Sequence, residues 1–498
     1  MRIAWIPLGV VVLLLSACGG AGEADGIAAR LDALFDRLEE HGLFRGAALV
    51  SDGGEVVYET ARGLASEEWG IPNTVETRYR IASLSKQFAA VIVLQLAGEG
   101  YLSLDDPLAA HLDGLPAAWA DSVTVRHLLD QTSGIPDYVG LPDYLETTSK
   151  RRFTREAFLD IVREDPLFAA TRFAPGEGWE YSNTNYFLLG VVAEAAAGAP
   201  YEDLLARRIL VPLAMRDSGV FDSRRPVRGL ASGYELTYDE VVERAAHSEF
   251  SPKSVPSGGI YSTARDLLKW AGALRDGRLL APAMREVFTT PSLMIEDDLG
   301  YACGQWREHL DRPGGGRVAC FSHGGSIMGM STWLLRVPDE DRCVVLLHNG
   351  GGARESFLEQ VALAAVDILE GGDGALPPLD LLGPLAGTYF NHREALFDHY
   401  RLLKERHGDL YDFGPGQLSL LGRLLVERLG DRETAAAVFR LNVAEHPESP
   451  LARRDLGGLL LAAGEADSAL VHLLRARALS PEPDDELEAL IARARESR

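Results

Sequence analysis

Strand-like stretches at both ends of a largely helical segment place the tightest constraint on the fold of this 498-residue chain. Residues 47–50 and 56–58 are β-prone, and Ser51-Asp52-Gly53-Gly54 between them predicts a hairpin turn. Mostly helical patterns then occupy roughly residues 83–275. Strand patterns return at 301–309, 317–323, 330–336 and 342–348. Strands so far apart in the chain must pair across the helices, which predicts an α+β fold with an antiparallel sheet flanked by helices.

A Gly/Pro-rich stretch near residue 375 predicts a domain boundary, and the chain after it is almost wholly helical in pattern. At an offset of 34 residues, Gly430 matches Gly464 and Phe439 matches Leu473. That period is the length of a tetratricopeptide repeat, although a plain helical bundle with accidental periodicity is the alternative. We therefore predict three consecutive regions: an α+β domain at 27–372, a linker at 373–386 and an all-α repeat domain at 387–498.

The N-terminal residues are predicted to direct export. Residues 1–17 read as a signal peptide, because their apolar run is shorter than the roughly 20 residues of a membrane span. Leu15-Ser16-Ala17-Cys18 resembles the bacterial lipobox, in which the cysteine becomes the lipid-bearing first residue. We expect an exported protein, lipid-anchored through Cys18 to the bacterial cell envelope and facing the periplasm, with 18–26 as a tether. An ordinary signal peptide with a chance cysteine is the alternative.

The charge balance excludes several binding functions. The chain carries 49 Lys and Arg against 73 Asp and Glu, a formal net charge of −24. Non-specific binding to nucleic acid or to an anionic membrane surface needs basic patches. We therefore expect no nucleic-acid partner, and membrane association only through the predicted lipid.

The remaining cysteines leave the redox state open. Cys303, Cys320 and Cys343 are an odd number for an exported chain and show no metal-ligand spacing. Cys303 and Cys320 flank a Gly-rich turn, so a disulfide across a hairpin is one interpretation. Buried free thiols in a sheet explain the same positions.

Ser83-Leu84-Ser85-Lys86 combines a hydroxyl nucleophile with a nearby amine. Of the five lysines in the chain, only Lys86 has a serine three residues before it. The motif opens an apolar helix pattern, so we expect Ser83 in the first turn with Lys86 on the same face. Free N–H groups there favour developing negative charge, and an amine can take the hydroxyl proton. The pattern alone is weak, because Ser and Lys are common at helix starts.

Two further motifs carry groups suited to the same chemistry. In Tyr181-Ser182-Asn183, a phenol close to an ammonium can shift toward phenolate and then accept a proton. The same tripeptide is also an ordinary helix N-cap sequence. His323-Gly324-Gly325-Ser326 lies on a predicted strand, and its glycines allow a substrate to pair with the backbone edge.

Taken in order, the motifs at 83–86, 181–183 and 323–325 resemble the serine β-lactamase-like hydrolases. The similar branch contains class C β-lactamases, D-Ala-D-Ala carboxypeptidases, D-aminopeptidases and esterases. Flanking residues at 80–82, 127–136 and 256–264 are similar as well. The resemblance covers about residues 27–370 and implies a β-lactamase/transpeptidase-like fold with an added helical subdomain.

The resemblance also implies roles for individual residues. Ser83 would be the acylated nucleophile, and Lys86 and Tyr181 the proton-transfer pair. The backbone N–H groups of Ser83 and Ser326 would form the oxyanion hole. No metal or cofactor is implied. The residues expected to contact substrate are Asn183, His323, Gly325 and Ser326.

His323 departs from the family pattern, because typical β-lactamases have lysine in the corresponding K-T-G motif. A lysine attracts a substrate carboxylate, whereas histidine is largely neutral near pH 7. We therefore predict a hydrolase of ester or amide (peptide) bonds in small substrates rather than a dedicated β-lactamase. We also expect His323 to gain charge between pH 8 and pH 5 and then to favour anionic substrates.

A sensor or scaffold that resembles a penicillin-binding protein is the alternative function. Its hydrolase domain would turn over slowly or not at all, and the repeat region at 387–498 would bind a protein partner. The presence of Ser83, Lys86 and Tyr181 favours an enzyme.

Overall fold

A computed structural model describes residues 20–142, 144, 147–236, 242–245, 255–312, 315–350, 355–480 and 482–498. The predicted signal peptide and Cys18 lie outside these residues. The chain divides into two compact units. The first unit contains the chain up to Tyr234 together with Arg244–Ala375, and the second contains Glu235–Glu243 and Leu376–Arg498.

The strands are short except in one large sheet. In chain order they are β1 Gly46–Asp52, β2 Glu55–Arg62, β3 Leu64–Ser66, β4 Ile71–Pro72, β5 Tyr79–Arg80, β6 Gly219–Val220, β7 Tyr234–Leu236, β8 Val242–Arg244, β9 Ile260–Ser262, β10 Gly300–Ala302, β11 Gln305–Asp311, β12 Arg317–Ile327, β13 Met330–Val337 and β14 Arg342–His348.

The large sheet joins the two ends of the first unit. In the described part of the chain it has seven strands in the order β10-β11-β12-β13-β14-β1-β2. β14 pairs antiparallel with β1, and Ala48 lies opposite Leu346. The predicted antiparallel sheet built from distant parts of the chain is therefore confirmed.

The first unit also contains helices before, between and after the strands. They are α1 Gly20–Glu40, α2 Ser85–Gly98, α3 Val125–Leu129, α4 Arg155–Glu164, α5 Asn183–Ala197, α6 Tyr201–Leu205, α7 Val255–Gly258, α8 Ala264–Arg275, α9 Pro282–Thr289 and α10 Glu355–Leu369.

The two faces of the sheet pack against different helices. Side chains alternate along β12, so Cys320 and Phe321 point to opposite faces. The charge of Glu359 in α10 helps to raise the pKa of the Cys320 thiol, so α10 lies on that face of the sheet. The helix α1 packs beside α10. Residues of α8 and α9 lie beside Phe321 on the other face. The sheet is thus covered on both faces.

Two helices form the centre of the core. α2 and α5 pack against each other, and α2 is buried almost all around, including Phe88 and Leu94. A helix that is apolar on every side needs such complete burial. Because α2 begins two residues after Ser83, this packing fixes the position of the predicted nucleophile.

The predicted strand at 301–309 is two strands in the structure. Cys303 and Gly304 have φ of 51° and 84° and form a tight turn between β10 and β11. Positive φ at both central residues suits a two-residue hairpin turn. Cys303, Cys320 and Cys343 are buried free cysteines, so the disulfide interpretation is wrong and the alternative with free thiols is correct.

Two predicted connections are shorter than expected. α1 begins at Gly20, so the described part of the predicted tether at 18–26 is helical. The helix Leu382–Asn391 begins inside the predicted linker at 373–386. The start of each helix was not predicted from the sequence, because glycine and proline near it are unfavourable inside helices.

From Leu382 onward, the described residues of the second unit are mainly helical. Its helices are α11 Leu382–Asn391, α12 Leu396–Arg406, α13 Pro415–Glu427, α14 Arg432–Glu445, α15 Pro450–Ala462, α16 Ala466–Leu479 and α17 Asp485–Glu496. Among the helices of the described residues, none has the length and apolar character to cross a membrane.

Helix pairs in this unit pack in a recurrent way. α15 begins 35 residues after the start of α13, and α16 begins 34 residues after the start of α14. Gly422 lies against the ring of Phe439, and Gly457 lies against Leu473, so that a side chain at either glycine would collide with its neighbour. The assignment to tetratricopeptide repeats stays a prediction.

Candidate active site

A strained turn presents Ser83. The backbone N–H of Ile81 donates to the carbonyl of Ile260 at 2.9 Å, and Ala82 then takes a φ of 45°. This left-handed conformation is costly for a residue with a Cβ and marks functional turns. Ser83 lies in the 3₁₀ turn Ala82–Leu84, immediately before α2 rather than in its first turn as expected.

Lys86 brings its amine to Ser83 from a buried position. Its side chain is fully buried, and Nζ lies 3.1 Å from the Ser83 Oγ. Nζ also donates at 2.8 Å to the Asn183 Oδ1 and at 2.8 Å to the carbonyl of Ser257. Burial of an amine requires such partners. They hold Nζ in place beside the hydroxyl.

Tyr181 makes a second contact with the Ser83 hydroxyl. Its OH donates to the Ser83 Oγ at 2.9 Å. The Lys86 Nζ lies 4.8 Å from the centroid of the Tyr181 ring. The structure therefore brings Tyr181 to the Ser83–Lys86 pair, although Tyr181 lies 98 residues after Ser83 in the chain.

Asp137 orients the amide of Asn183, and sequence reasoning missed it. The Asn183 Nδ2 donates to the Asp137 Oδ2 at 2.9 Å. This bond turns Oδ1 of the same amide toward Lys86. Burial raises the pKa of Asp137 above its usual range. The flanking similarity at 127–136 stops one residue before Asp137, and nothing in the sequence indicated its contact with Asn183.

Ser257 and Tyr138 support Lys86 from two further parts of the chain. The Ser257 carbonyl accepts from Lys86, and its Oγ is hydrogen-bonded to the Tyr138 OH at 3.1 Å. Tyr138 is buried and packs edge to face on Phe158. The sequence showed residues 256–264 only as a flanking similarity, so it gave no role to Ser257.

His323 lies on β12 as predicted, but it is buried and neutral. Its Nδ1 bonds to the carbonyl of Gly324, so Nδ1 carries the proton, and Nε2 accepts from the Tyr301 OH at 3.1 Å. Burial and the charge of Lys86 lower the pKa of His323 to about 3. The expectation that His323 gains charge between pH 8 and pH 5 is therefore wrong, because the sequence did not reveal its burial.

Gly325 allows β12 to lie against the turn that carries Ser83. A Cβ at Gly325 would lie 2.6 Å from the Thr332 Oγ1 and 3.1 Å from the Ser83 backbone N, and would also clash with the Ile81 carbonyl. Only glycine fits at such a close approach. The next residue, Ser326, is exposed. The oxyanion role of the Ser83 and Ser326 N–H groups stays a prediction.

Aromatic side chains that the sequence did not single out surround this region. The ring centroids of Trp179 and Trp306 are 5.1 Å apart, and those of Tyr301 and Trp306 are also 5.1 Å apart. Tyr301 meets Tyr181 and His323 edge to face. We call Trp179, Tyr301 and Trp306 the aromatic wall. Tyr301 is fully buried and connects this wall to Tyr181, while Trp179 and Trp306 are half-buried.

Known proteins are similar to this chain in sequence. "Penicillin-binding protein 4*" of Bacillus subtilis is 29% identical over 348 residues, which cover 68% of this chain and 74% of that protein. "Esterase EstB" of Burkholderia gladioli is 34% identical over 288 residues, which cover 51% of this chain and 71% of that protein.

A solved structure and a family model agree with these relatives. A D-stereospecific amidohydrolase from Streptomyces sp. superposes with a TM-score of 0.56 at 27% identity, covering 67% of this chain and 98% of that one. The Beta-lactamase family model matches residues 31–367. That match spans more than half of the sequence and nearly all of the first structural unit. The chain therefore belongs to the β-lactamase family of serine hydrolases.

Proposed function

We propose that the protein is a serine hydrolase that cleaves ester or amide bonds through an acyl-enzyme on Ser83. The observation that carries this proposal is the position of the Ser83 Oγ, 3.1 Å from the Lys86 Nζ and 2.9 Å from the Tyr181 OH. Both contacts are within the range needed for direct proton transfer. Attack by Ser83 on a carbonyl would form the acyl-enzyme, and water would then release it.

The hydrogen bonds of Lys86 suggest how the proton leaves Ser83. The Asn183 Oδ1 and the Ser257 carbonyl can only accept, so they engage two N–H groups of Lys86. In the neutral amine the remaining lone pair faces the Ser83 Oγ and can accept its proton. Tyr181 can then pass a proton to the leaving group. N–H groups of Ser83 and Ser326 would stabilise the oxyanion, each by about 3 kcal/mol.

The surroundings of Ser83 support uncharged acyl groups as substrates. His323 is neutral, so it supplies no charge for a substrate carboxylate. The half-buried Trp179 and Trp306 of the aromatic wall offer apolar contact instead. The printed names of two similar proteins, an esterase and an amidohydrolase, agree with ester and amide substrates. We therefore propose an esterase or amidase and not a dedicated β-lactamase.

Turnover of a substrate panel tests this function. The panel contains p-nitrophenyl esters, D-amino-acid amides, a D-Ala-D-Ala peptide and nitrocefin. We expect kcat/KM to be highest for a neutral ester or amide, and Ser83→Ala to abolish it. Ser85→Ala is the matched control, because that buried hydroxyl accepts only from the Ile260 N–H among the contacts shown. Preferred turnover of nitrocefin, or full activity in Ser83→Ala, would contradict the proposal.

We further propose that Cys18 anchors the protein to the cell envelope by a lipid. The support is the sequence Leu15-Ser16-Ala17-Cys18. In a bacterial host the protein should pellet with membranes, whereas Cys18→Ser should be recovered in the soluble fraction. Pelleting of the variant after a salt wash would contradict the anchor.

A role of the helical tail in binding a protein partner is a separate proposal. Its support is limited to the recurrent packing of α13 to α16, since stacked helix pairs commonly present binding surfaces. The assembled contacts of Ser83 favour turnover over an idle sensor.

A further inference from the structure

A cavity separate from the Ser83 site lies on the sheet face that packs against α8 and α9. Its volume is about 500 Å³. None of Ser83, Lys86, Tyr181 and His323 is among its lining residues. Much of the lining is apolar, contributed by Leu274, Pro282, Phe288, Ala319, Phe321 and Pro338.

A buried arginine lines this cavity. Arg336 of β13 has 4% of its surface exposed. One of its Nη atoms donates to the Gln305 Oε1, and its Cζ lies 5.5 Å from the centre of the Phe321 ring. Its Nε is buried without a hydrogen-bond partner. Burial lowers the pKa of Arg336 to about 10, so the guanidinium is still charged at neutral pH.

Arg336 lacks a carboxylate partner. Within the described ranges, no Asp or Glu forms an ion pair with it. A buried charge without a counter-ion is costly, and proteins normally pair it. The cavity beside Arg336 is large enough to admit the missing anion.

Two more arginines line the same space without ion pairs, Arg307 half-buried and Arg285 exposed. Arg307 and Arg336 both lie opposite Phe321 in the sheet register, one from each neighbouring strand. Their Cα atoms are therefore about 10 Å apart. Arg285 lines the cavity from α9. In the described part of the chain, neither Arg307 nor Arg285 has an Asp or Glu within ion-pair distance.

The other charged lining residues do not cancel this cluster. Arg275 is already paired with Asp276 and Asp341. Glu286 and Asp339 line the cavity, but both are exposed, so solvent screens them. The positive charge of Arg336 thus lies deepest, among apolar side chains.

We propose that this cavity binds a small organic anion, with its carboxylate or phosphate group on Arg336 and Arg307 and an apolar body against Phe288 and Phe321. A planar guanidinium suits oxyanions of either kind, because its N–H groups match two oxygens at once. Phe288 and Phe321 supply apolar contact for a hydrocarbon or aryl group. The proposal is independent of hydrolysis at Ser83.

Binding to the full-length protein tests the site. Isothermal titration at low salt would use phenyl phosphate and 3-phenylpropionate as probes, with benzyl alcohol as the neutral counterpart and sodium chloride at matched ionic strength. We expect one saturable site for at least one anionic probe and at least tenfold weaker binding of benzyl alcohol. Arg336→Met should weaken the anion at least tenfold.

Control variants separate this site from general charge effects. Arg317→Gln removes a charge from β12, the strand between those of Arg307 and Arg336, at a position outside the cavity lining where Arg317 pairs with Asp298 and Asp311. This variant should bind the anion within twofold of wild type. Arg307→Met should also weaken binding and serves if Arg336→Met does not fold. No saturable binding, equal binding of benzyl alcohol, or unchanged affinity in the folded cavity variants would overturn the proposal.

Discussion

At the scale of single residues, the Ser83 hydroxyl lies between an amine and a phenol, two groups that are able to exchange protons. The Tyr181 OH donates to the Ser83 Oγ, and the Lys86 Nζ lies 3.1 Å from the same oxygen. Lys86 is itself held by Asn183, whose amide is turned by Asp137. These hydrogen bonds form one connected chain. Loss of any of its polar side chains is therefore expected to change which group holds the proton.

Tyr181→Phe tests the proton-transfer role directly. It removes only the hydroxyl and leaves the ring beside Tyr301 and Lys86. We expect kcat to fall by about 10²- to 10⁴-fold, the usual contribution of a positioned acid or base. The measurement is steady-state turnover of a p-nitrophenyl ester. Tyr58→Phe, which removes a hydroxyl bound to Asp32, is the control. Equal activity of the two variants would exclude Tyr181 from the proton path.

His323→Asn tests the neutral state of the histidine. The pKa of His323 is about 3 in the folded protein and about 6.5 in the unfolded chain, so the unfolded chain binds more protons between these values. His323 therefore contributes to a loss of stability as pH falls below 6.5, by about 2 kcal/mol at pH 5.

The free energy of unfolding at pH 7 and pH 5 gives the readout. The difference between the two values should shrink by about 2 kcal/mol in His323→Asn. An unchanged pH dependence in the His323 variant would mean that the folded protein protonates this side chain.

At the scale of elements, the site lies where β12 packs against the turn before α2. Gly325 permits that approach, and the Thr332 Oγ1 of β13 donates to the Ile81 carbonyl at 3.1 Å. The close approach and the hydrogen bond together hold the sheet against the turn that carries Ser83.

Gly325→Ala should disturb this contact. The added methyl group meets the Thr332 Oγ1 and the backbone of Ser83, so the strand must move away. A displacement of about 1 Å at a reacting group can cost on the order of 100-fold in rate. We expect at least that loss in kcat/KM. Gly272→Ala in α8, where a Cβ has no neighbour closer than 4.0 Å, is the control and should retain activity. Full activity of Gly325→Ala would mean that β12 tolerates displacement.

Elements were easier to predict from sequence than their contacts. The strands around 47–50 and 342–348 follow from short β-prone runs, and Ser83, Lys86 and Tyr181 follow from motifs. Asp137 and Ser257 could not be assigned because their roles are hydrogen bonds to residues 46 and 171 positions away. The charge of His323 was predicted wrongly for the same reason, because the residues that bury it come from other elements.

At the scale of the molecule, the chain contains two units with separate cores. The hydrolase-family match ends at residue 367, and the helices from Leu382 onward have a hydrophobic core of their own. All residues discussed around Ser83 and Arg336 belong to the first unit. The chemistry is therefore expected to need only that unit.

A chain shortened to residues 1–375 tests the division. It should fold cooperatively and retain turnover of the best ester or amide within about threefold of the full-length protein, because it keeps the complete sheet and α2. Circular dichroism and activity provide the measurements. An insoluble or inactive product would show that the tail contributes to the hydrolase core.

The most direct test of the whole account is to locate the covalent adduct. The protein is treated with a fluorophosphonate, digested and mapped by mass spectrometry. The account predicts stoichiometric modification of the peptide that contains Ser83, no modification in Ser83→Ala, and normal modification in Ser85→Ala. An adduct on another residue, or a labelled Ser83→Ala variant, would contradict the assignment of Ser83 as the nucleophile.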